Sequence, residues 1–189
     1  SIIVLKFYAT FLTVMLLSQN AISENLIEKA IKTVDADILF MRHALAPGIG
    51  DPENFLLSDC DTQRNLNDEG KKHAIKIGVA LAKAKIKIDK ILSSQWCRCY
   101  DTAILMELGD VEIFSGLNSF YQRHAEKEAT LLKLRAYLKE KPSESLILMV
   151  THQVVISAIT GVNVTSGGFV AYNSKTGKLK PLSLAPTNM

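Results

Sequence analysis

The sequence predicts an α/β protein, a three-layer α/β/α sandwich around a mostly parallel central sheet. Three observations lead there. Short apolar runs at Asp37–Met41 (DILFM), Lys90–Ser93 (KILS) and Leu146–Val150 (LILMV) have the length and continuous hydrophobicity of strands buried on both faces. Amphipathic stretches with apolar residues at helical spacing alternate with those runs. No internal repeat, low-complexity tract or linker interrupts the alternation, so one sheet covered by helices is the economical solution.

The elements follow in order. Asn25–Thr33 reads as a short helix and Asp37–Met41 as the first strand. Ala44–Arg64, which contains Pro47, Gly48, Gly50 and Pro52, reads as a loop. Asn67 or Asp68 caps a helix running to about Lys85, with Ala74, Ile77, Leu81 and Ala84 on its apolar face. Lys90–Ser93 is the second strand, Cys97–Leu108 a helix, and Val111–Phe114 a third strand. Gln122–Lys141 reads as one long charged helix, with Leu131, Leu134, Tyr137 and Leu138 facing inward and Pro142 ending it. Leu146–Val150 is another buried strand, and His152–Thr160 a short helix stopped at Gly161. Phe169–Asn173 and Lys178–Leu182 close the chain as a hairpin around Lys175-Thr176-Gly177.

Composition narrows the function classes. The 189 residues are 48% hydrophobic and 22% charged, an ordinary globular balance that suits one domain over residues 24–189. A net charge of +3 from scattered lysines, without a basic stripe or stacking aromatics, argues against a nucleic-acid partner. Residues 1–23 differ from the rest. Lys6 precedes the apolar Phe7–Leu17, and Ala21-Ile22-Ser23 supplies a small-residue cleavage pattern, the layout of a secretory signal peptide. The apolar run is shorter than the roughly 20 residues of a membrane span, so no stable membrane partner is expected; the alternative is an amphipathic or uncleaved N-terminal anchor. The expected location is periplasmic or secreted, and cytoplasmic only if this segment is not a leader. Cys60, Cys97 and Cys99 agree with export: Cys60 pairs with Cys97 or Cys99, leaving one thiol. Cys97-x-Cys99 lacks a second ligand pair, so neither a metal nor another cofactor is expected.

The informative pattern lies at the strand ends. Met41 is followed by Arg42-His43, Leu92 by Ser93-Ser94, and Val150 by Thr151-His152. Ligands of open α/β sheets bind beyond the carboxyl ends of the strands. Arg42, His43, Arg98 and His152 therefore have a route to one pocket. Two guanidinium forks match phosphate oxygens. Neighbouring cations favour a neutral, nucleophilic imidazole by depressing its pKa. Hydrolysis of a phosphomonoester demands up to ~10²¹-fold acceleration. Fixed positive charge and a split, two-step reaction are the natural ways to reach it without a metal.

Four segments, in order, carry a resemblance. Phe40-Met41-Arg42-His43-Ala44 resembles the R-H-G/A motif of the histidine phosphatase superfamily, the phosphoglycerate mutase-like proteins. Arg64 to Gly70 with Ala74 is similar to R-x-L-[TN]-x-x-G-x-x-x-A, Ser93 to Ala103 to S-S-x-x-x-R-x-x-x-T-A, and Val150-Thr151-His152 to V-[TS]-H. The resemblance spans about residues 37–161. It implies a phosphoglycerate mutase-like fold and a phosphatase working through a phosphohistidine on His43. Arg42 and Arg98 would hold the phosphate, His152 would complete the pocket, Arg64 would line the rim, and Thr102 and Ala103 would pack the helix.

Two departures bear on the proton donor. Ser119 stands where many members carry Glu, and Gln153 stands where the acid-phosphatase branch carries Asp. Glu126, Glu128, Asp59 and Asp61 are the remaining candidates for the acid. The compact, exported layout resembles the branch that acts on envelope sugars, so the expected partner is a phosphorylated small molecule or an envelope sugar phosphate. The alternatives are a non-catalytic phosphate- or phosphosugar-binding module and a phosphoprotein phosphatase. The oligomeric state is left open.

Overall fold

A computed structural model of the chain describes residues 26–142 and 144–184. The expected signal peptide over residues 1–23 lies outside the described residues. Among the described residues, no helix is long and apolar enough to cross a membrane.

Six strands form one sheet. They are β1 (Ile38–Arg42), β2 (Lys90–Ser93), β3 (Val111–Ile113), β4 (Ile147–Thr151), β5 (Phe169–Tyr172) and β6 (Leu179–Leu182), in the spatial order β3-β2-β4-β1-β5-β6. The first four in that order are mutually parallel, and β5 and β6 add an antiparallel edge. The expected closing hairpin is this edge. The central strands β1 and β4 pair in register from Ile38↔Ile147 to Arg42↔Thr151. Both are buried along nearly their whole length, as continuous apolar runs require of strands covered on two faces.

The period-2 alternation of side chains divides the core. Leu39, Met41, Leu148 and Val150 point to one face, where they meet Ile27, Ala30, Ile77, Leu81, Cys99 and Ala103. Ile38, Phe40, Ile147 and Met149 point to the other, against Leu134, Val155 and Ile156. The first face is covered by α1 (26–34), α2 (Asp68–Lys83) and α3 (Cys97–Leu105), the second by α4 (Lys127–Glu140) and α5 (Gln153–Thr160). The three-layer sandwich is thus the direct product of the strand period. Phe40 has no exposed surface, so its burial alone contributes about 1.5–3 kcal/mol.

Local chemistry sets the helix ends. The Asn67 side chain accepts from the Gly70 N–H at 2.8 Å and caps α2, with Asp68 and Glu69 in the first turn. A Cβ at Gly70 would run into the Leu45 carbonyl, so this glycine lets α2 lie directly against the loop after β1. Gly161 ends α5 with φ 72°. The expected helix over Gln122–Lys141 is corrected: α4 begins only at Lys127. Gln122 and Arg123 have left-handed backbone, φ 57° and 61°, and the Glu126 carboxylate caps the Glu128 and Ala129 N–H groups. Tyr121–Arg123 is instead a short 3-10 turn.

Candidate active site

Parallel pairing brings the predicted residues together. β2, β4 and β1 are neighbours, so their carboxyl ends emerge along one edge. The His43 N–H donates to the Thr151 carbonyl at 3.1 Å, and the Ser94 N–H to the Val150 carbonyl at 3.0 Å. Arg98 lies in the first turn of α3, which starts a few residues after β2. Thr102 extends this support beyond helix packing. Its hydroxyl donates to the Arg98 carbonyl at 2.7 Å and accepts from the Ala44 N–H at 3.0 Å, tying α3 to the residue after His43.

His43 is 3% exposed. Its Nδ1 lies 2.8 Å from the Ala44 carbonyl, which can only accept, so Nδ1 carries the proton. Nε2 therefore holds a lone pair, which accepts from Arg98 Nε at 3.2 Å. Burial, then the charge of Arg98, lower the His43 pKa to about 3, against the opposing pull of the Ala44 carbonyl. The imidazole is neutral at physiological pH and aims an unprotonated nitrogen into the cluster.

His152 caps α5 at the end of β4, and its ring centroid is 5.7 Å from that of His43. Its Nε2 lies 2.8 Å from Ser94 Oγ and 3.4 Å from Cys99 Sγ. Burial, with Arg98 and His43 next, holds its pKa well below the usual histidine range. Cys99 is fully buried, and burial pushes its thiol up to about 12. It stays protonated, which makes it a poor nucleophile.

Three guanidinium groups surround these rings. Arg42 donates from Nη1 to the Val164 carbonyl at 3.0 Å, while its buried Nε has no partner among the described residues. Arg64 donates to the Gly50 carbonyl at 2.7 Å and also to the Ala46 carbonyl, fastening the 44–67 loop. The pKa values of Arg42 and Arg64 are lowered by burial and by repulsion from Arg98. One carboxylate answers them: Asp51 accepts from Arg98 Nη1 at 2.8 Å. Burial works to raise the Asp51 pKa, but Arg98 and the Trp96 indole outweigh it and hold the group ionised below its ordinary value.

All five predicted site residues meet at this edge. Among the hydrogen bonds and ion pairs of the described residues, none joins Glu126, Glu128, Asp59 or Asp61 to Arg42, His43, Arg98 or His152. Glu126 and Asp59 are occupied as caps, and all four are exposed. Ser119 accepts from the Tyr121 N–H at 3.3 Å. Gln153 pins the segment that serves Arg42: its Oε1 accepts from the Val164 N–H at 2.8 Å. Asp51 was not singled out by its sequence; Gly50-Asp51-Pro52 reads only as loop, and a charge wedged between two turn-formers is the signal that could have marked it. The open choice of disulfide is resolved as Cys60–Cys97, with Cα atoms 5.8 Å apart. Among the described residues no group of three or more His, Cys, Asp or Glu gathers as metal ligands would.

The chain matches no protein-family profile and no curated protein sequence. Its fold does match solved structures. A mycobacterial glucosyl-3-phosphoglycerate phosphatase is 12% identical with TM-score 0.52, over 76% of this chain and 95% of that one. A protein histidine phosphatase, SixA, complexed with tungstate is 17% identical with TM-score 0.50, over 77% and 94%. A protein from Agrobacterium tumefaciens provisionally named SixA, a phosphohistidine phosphatase, is 18% identical with TM-score 0.53, over 80% and 98%. The fold is phosphoglycerate mutase-like, as the four segments implied.

Proposed function

We propose that this chain is a phosphatase that cleaves phosphomonoesters or a phosphoramidate through a phosphohistidine on His43 Nε2. One observation carries the reading. Three arginines and one aspartate leave two uncompensated positive charges around two buried, neutral imidazoles, the charge complement of a phosphate dianion. Crowding three like charges costs stability, and an anion bound among them offsets it.

In this mechanism the phosphoryl group lies between the two imidazoles. The His43 Nε2 lone pair forms the P–N bond as the bond to the leaving oxygen or nitrogen breaks, its electron pair departing with the leaving group. The Nδ1–H···O=C bond to Ala44 holds the ring and stabilises the cation that forms on it. Arg42 and Arg98 bind the equatorial oxygens, and His152, braced by Ser94, completes the cage. Arg64 braces the loop and adds charge. Water then attacks phosphorus as the P–N bond breaks and its electron pair returns to Nε2; inorganic phosphate leaves, and the water's proton passes through solvent to the departed leaving group. With the four acid candidates occupied or outside the cluster, a leaving group that departs without a strong acid is favoured, such as a sugar-anomeric phosphate or a phosphoramidate. The relatives of similar fold include enzymes named for a phosphosugar and for phosphohistidine, which agrees with both classes. The Cys60–Cys97 disulfide supports an oxidising compartment, and with it action on envelope sugar phosphates in the periplasm or outside the cell.

Turnover of p-nitrophenyl phosphate by wild type and His43→Ala is the test. The variant is expected to lose on the order of 10⁶-fold, as removal of a covalent nucleophile does elsewhere. Protein acid-quenched for mass spectrometry would lose the phosphoryl group, and protein quenched in base would keep it on His43. Phosphate binding without turnover on any ester would make the chain a binding module instead.

A further inference from the structure

Six hydrogen bonds converge on Asp51, a residue to which the phosphatase reading gives no role. Its N–H donates to Gln122 Oε1 at 2.7 Å, and Gln122 Nε2 donates back to its carbonyl at 3.2 Å. Oδ1 accepts from Arg98 Nη1 at 2.8 Å and from the Arg64 backbone N–H at 3.1 Å. Oδ2 accepts from Trp96 Nε1 at 3.0 Å and from Arg98 Nη2 at 3.4 Å. The chain bends to allow this, with left-handed backbone at Gly50 (φ 70°) and Gln122 (φ 57°). Asp51 and Arg98 side chains are 3% and 4% exposed. A carboxylate held by so many partners is a fixed part of the site, not a loose anion awaiting displacement.

The bonds divide the five N–H donors of Arg98. Nη1 is occupied by Asp51 and by the Arg64 carbonyl at 3.3 Å. Nη2 turns one N–H toward Oδ2. The Nε–H, which donates to His43 Nε2 until that nitrogen bonds phosphorus, and the second Nη2–H lie on one edge of the guanidinium plane. We infer that Asp51 is the positioning residue of Arg98: it grips the end of the fork and presents the Nε–Nη2 edge to the phosphoryl group on His43. The inference rests on the phosphatase reading and deepens it. Asp51 acts through Arg98 and does not touch substrate. Its depressed pKa agrees, because a carboxylate that stays ionised keeps its grip.

A double-mutant cycle on the full chain tests this, with p-nitrophenyl phosphate as substrate. Asp51→Asn keeps the shape but puts an amide N–H against the Trp96 indole N–H and the second Arg98 donor. Its kcat/KM is expected to fall about 100-fold, the scale of losing one aligned transition-state donor. In an Arg98→Lys background, which keeps the charge and has no fork to orient, the same substitution is expected to cost less than about threefold. Equal losses in both backgrounds would mean a merely structural role and overturn the inference. A gain in activity would also overturn it, since the carboxylate would then be a competitor of the substrate. Should Asp51→Asn fail to fold, Trp96→Phe takes its place in the cycle. It deletes the donor to Oδ2 and also trims a buried ring packed on Phe55 and His152, so the readout is the coupling: about a tenfold fall is expected with Arg98 present and a smaller one in the Arg98→Lys background. His43→Ala runs alongside: full turnover without His43 would bring down the phosphohistidine on which this reading rests, whereas loss with His43→Ala and no coupling to Arg98 would bring down only the role of Asp51.

Discussion

The two ends of the sheet handle buried charge in opposite ways. At the amino end of β1, Asp37 pairs with Lys141 at 2.9 Å, their side chains 10% and 2% exposed, and the Ser174 N–H and hydroxyl complete the carboxylate's bonds. The buried carboxylate and the buried ammonium there match one for one. At the carboxyl end, three arginines share one aspartate, two imidazoles are kept neutral, and Arg42 Nε is buried without a partner. The same interior thus contains a closed electrostatic account and an open one. Burial of charge alone does not mark function; an imbalance that only a ligand can correct does.

This contrast can be broken in several ways. The largest effect is expected from reducing Cys60–Cys97, which fastens the carboxyl-end loop and leaves the amino end alone. Its 37-residue separation corresponds to up to about 4 kcal/mol of loop-closure stabilisation. Urea unfolding with and without reductant should differ by that order; equal midpoints would mean that the loop is held without it. Next, Arg42→Met should lower kcat/KM by roughly 10²–10³-fold, about 2.7–4 kcal/mol, while the melting temperature holds or rises, because the substitution relieves like-charge crowding. Lys141→Met should do the reverse, destabilising by about 3 kcal/mol through the stranded Asp37 carboxylate while kcat is unchanged. If both variants lose stability alike, the two ends do not differ as described.

The last effect is graded with pH. His43 and His152 have folded pKa values below the unfolded 6.5, so the unfolded chain binds their protons first as pH falls. Their contribution is fully present above about pH 6.5 and is lost progressively toward about 3 for His43, at up to about 1.4 kcal/mol per pH unit for each ring. His43→Ala should flatten the slope of unfolding free energy between pH 6 and 4. An unchanged slope would show that the ring is not held neutral.

Much of this was legible in the sequence because it is local. Strands β1, β2 and β4 were found to within a residue or so, since continuous apolar runs bounded by polar residues have few other uses. Arg42, His43, Arg98 and His152 were legible because each ends a strand, directly follows one, or opens a helix after one. The start of α4 was not: helical spacing continues back through Gln122, and left-handed backbone at Gln122 and Arg123 leaves no mark in hydrophobic pattern. The partner of Cys60 was not either. Residues 97 and 99 point about 200° apart on a helix, and only the tertiary fold says which face meets the loop. Asp51 escaped for the same reason, as its meaning lies in Arg98 and Gln122, both distant in the chain.

The cystine has one more consequence. The strands are placed by packing, but the segment from Ala44 to Asn67 has no strand or α-helix and one short 3-10 turn, Cys60–Thr62. Its course is set by side-chain hydrogen bonds at Asp51 and Arg64 and by one covalent tie, which ends on the residue next to Arg98. Transplanting the strand-end residues onto a related scaffold would therefore carry over the chemistry without its alignment; the smallest portable unit of this site includes the loop and both half-cystines.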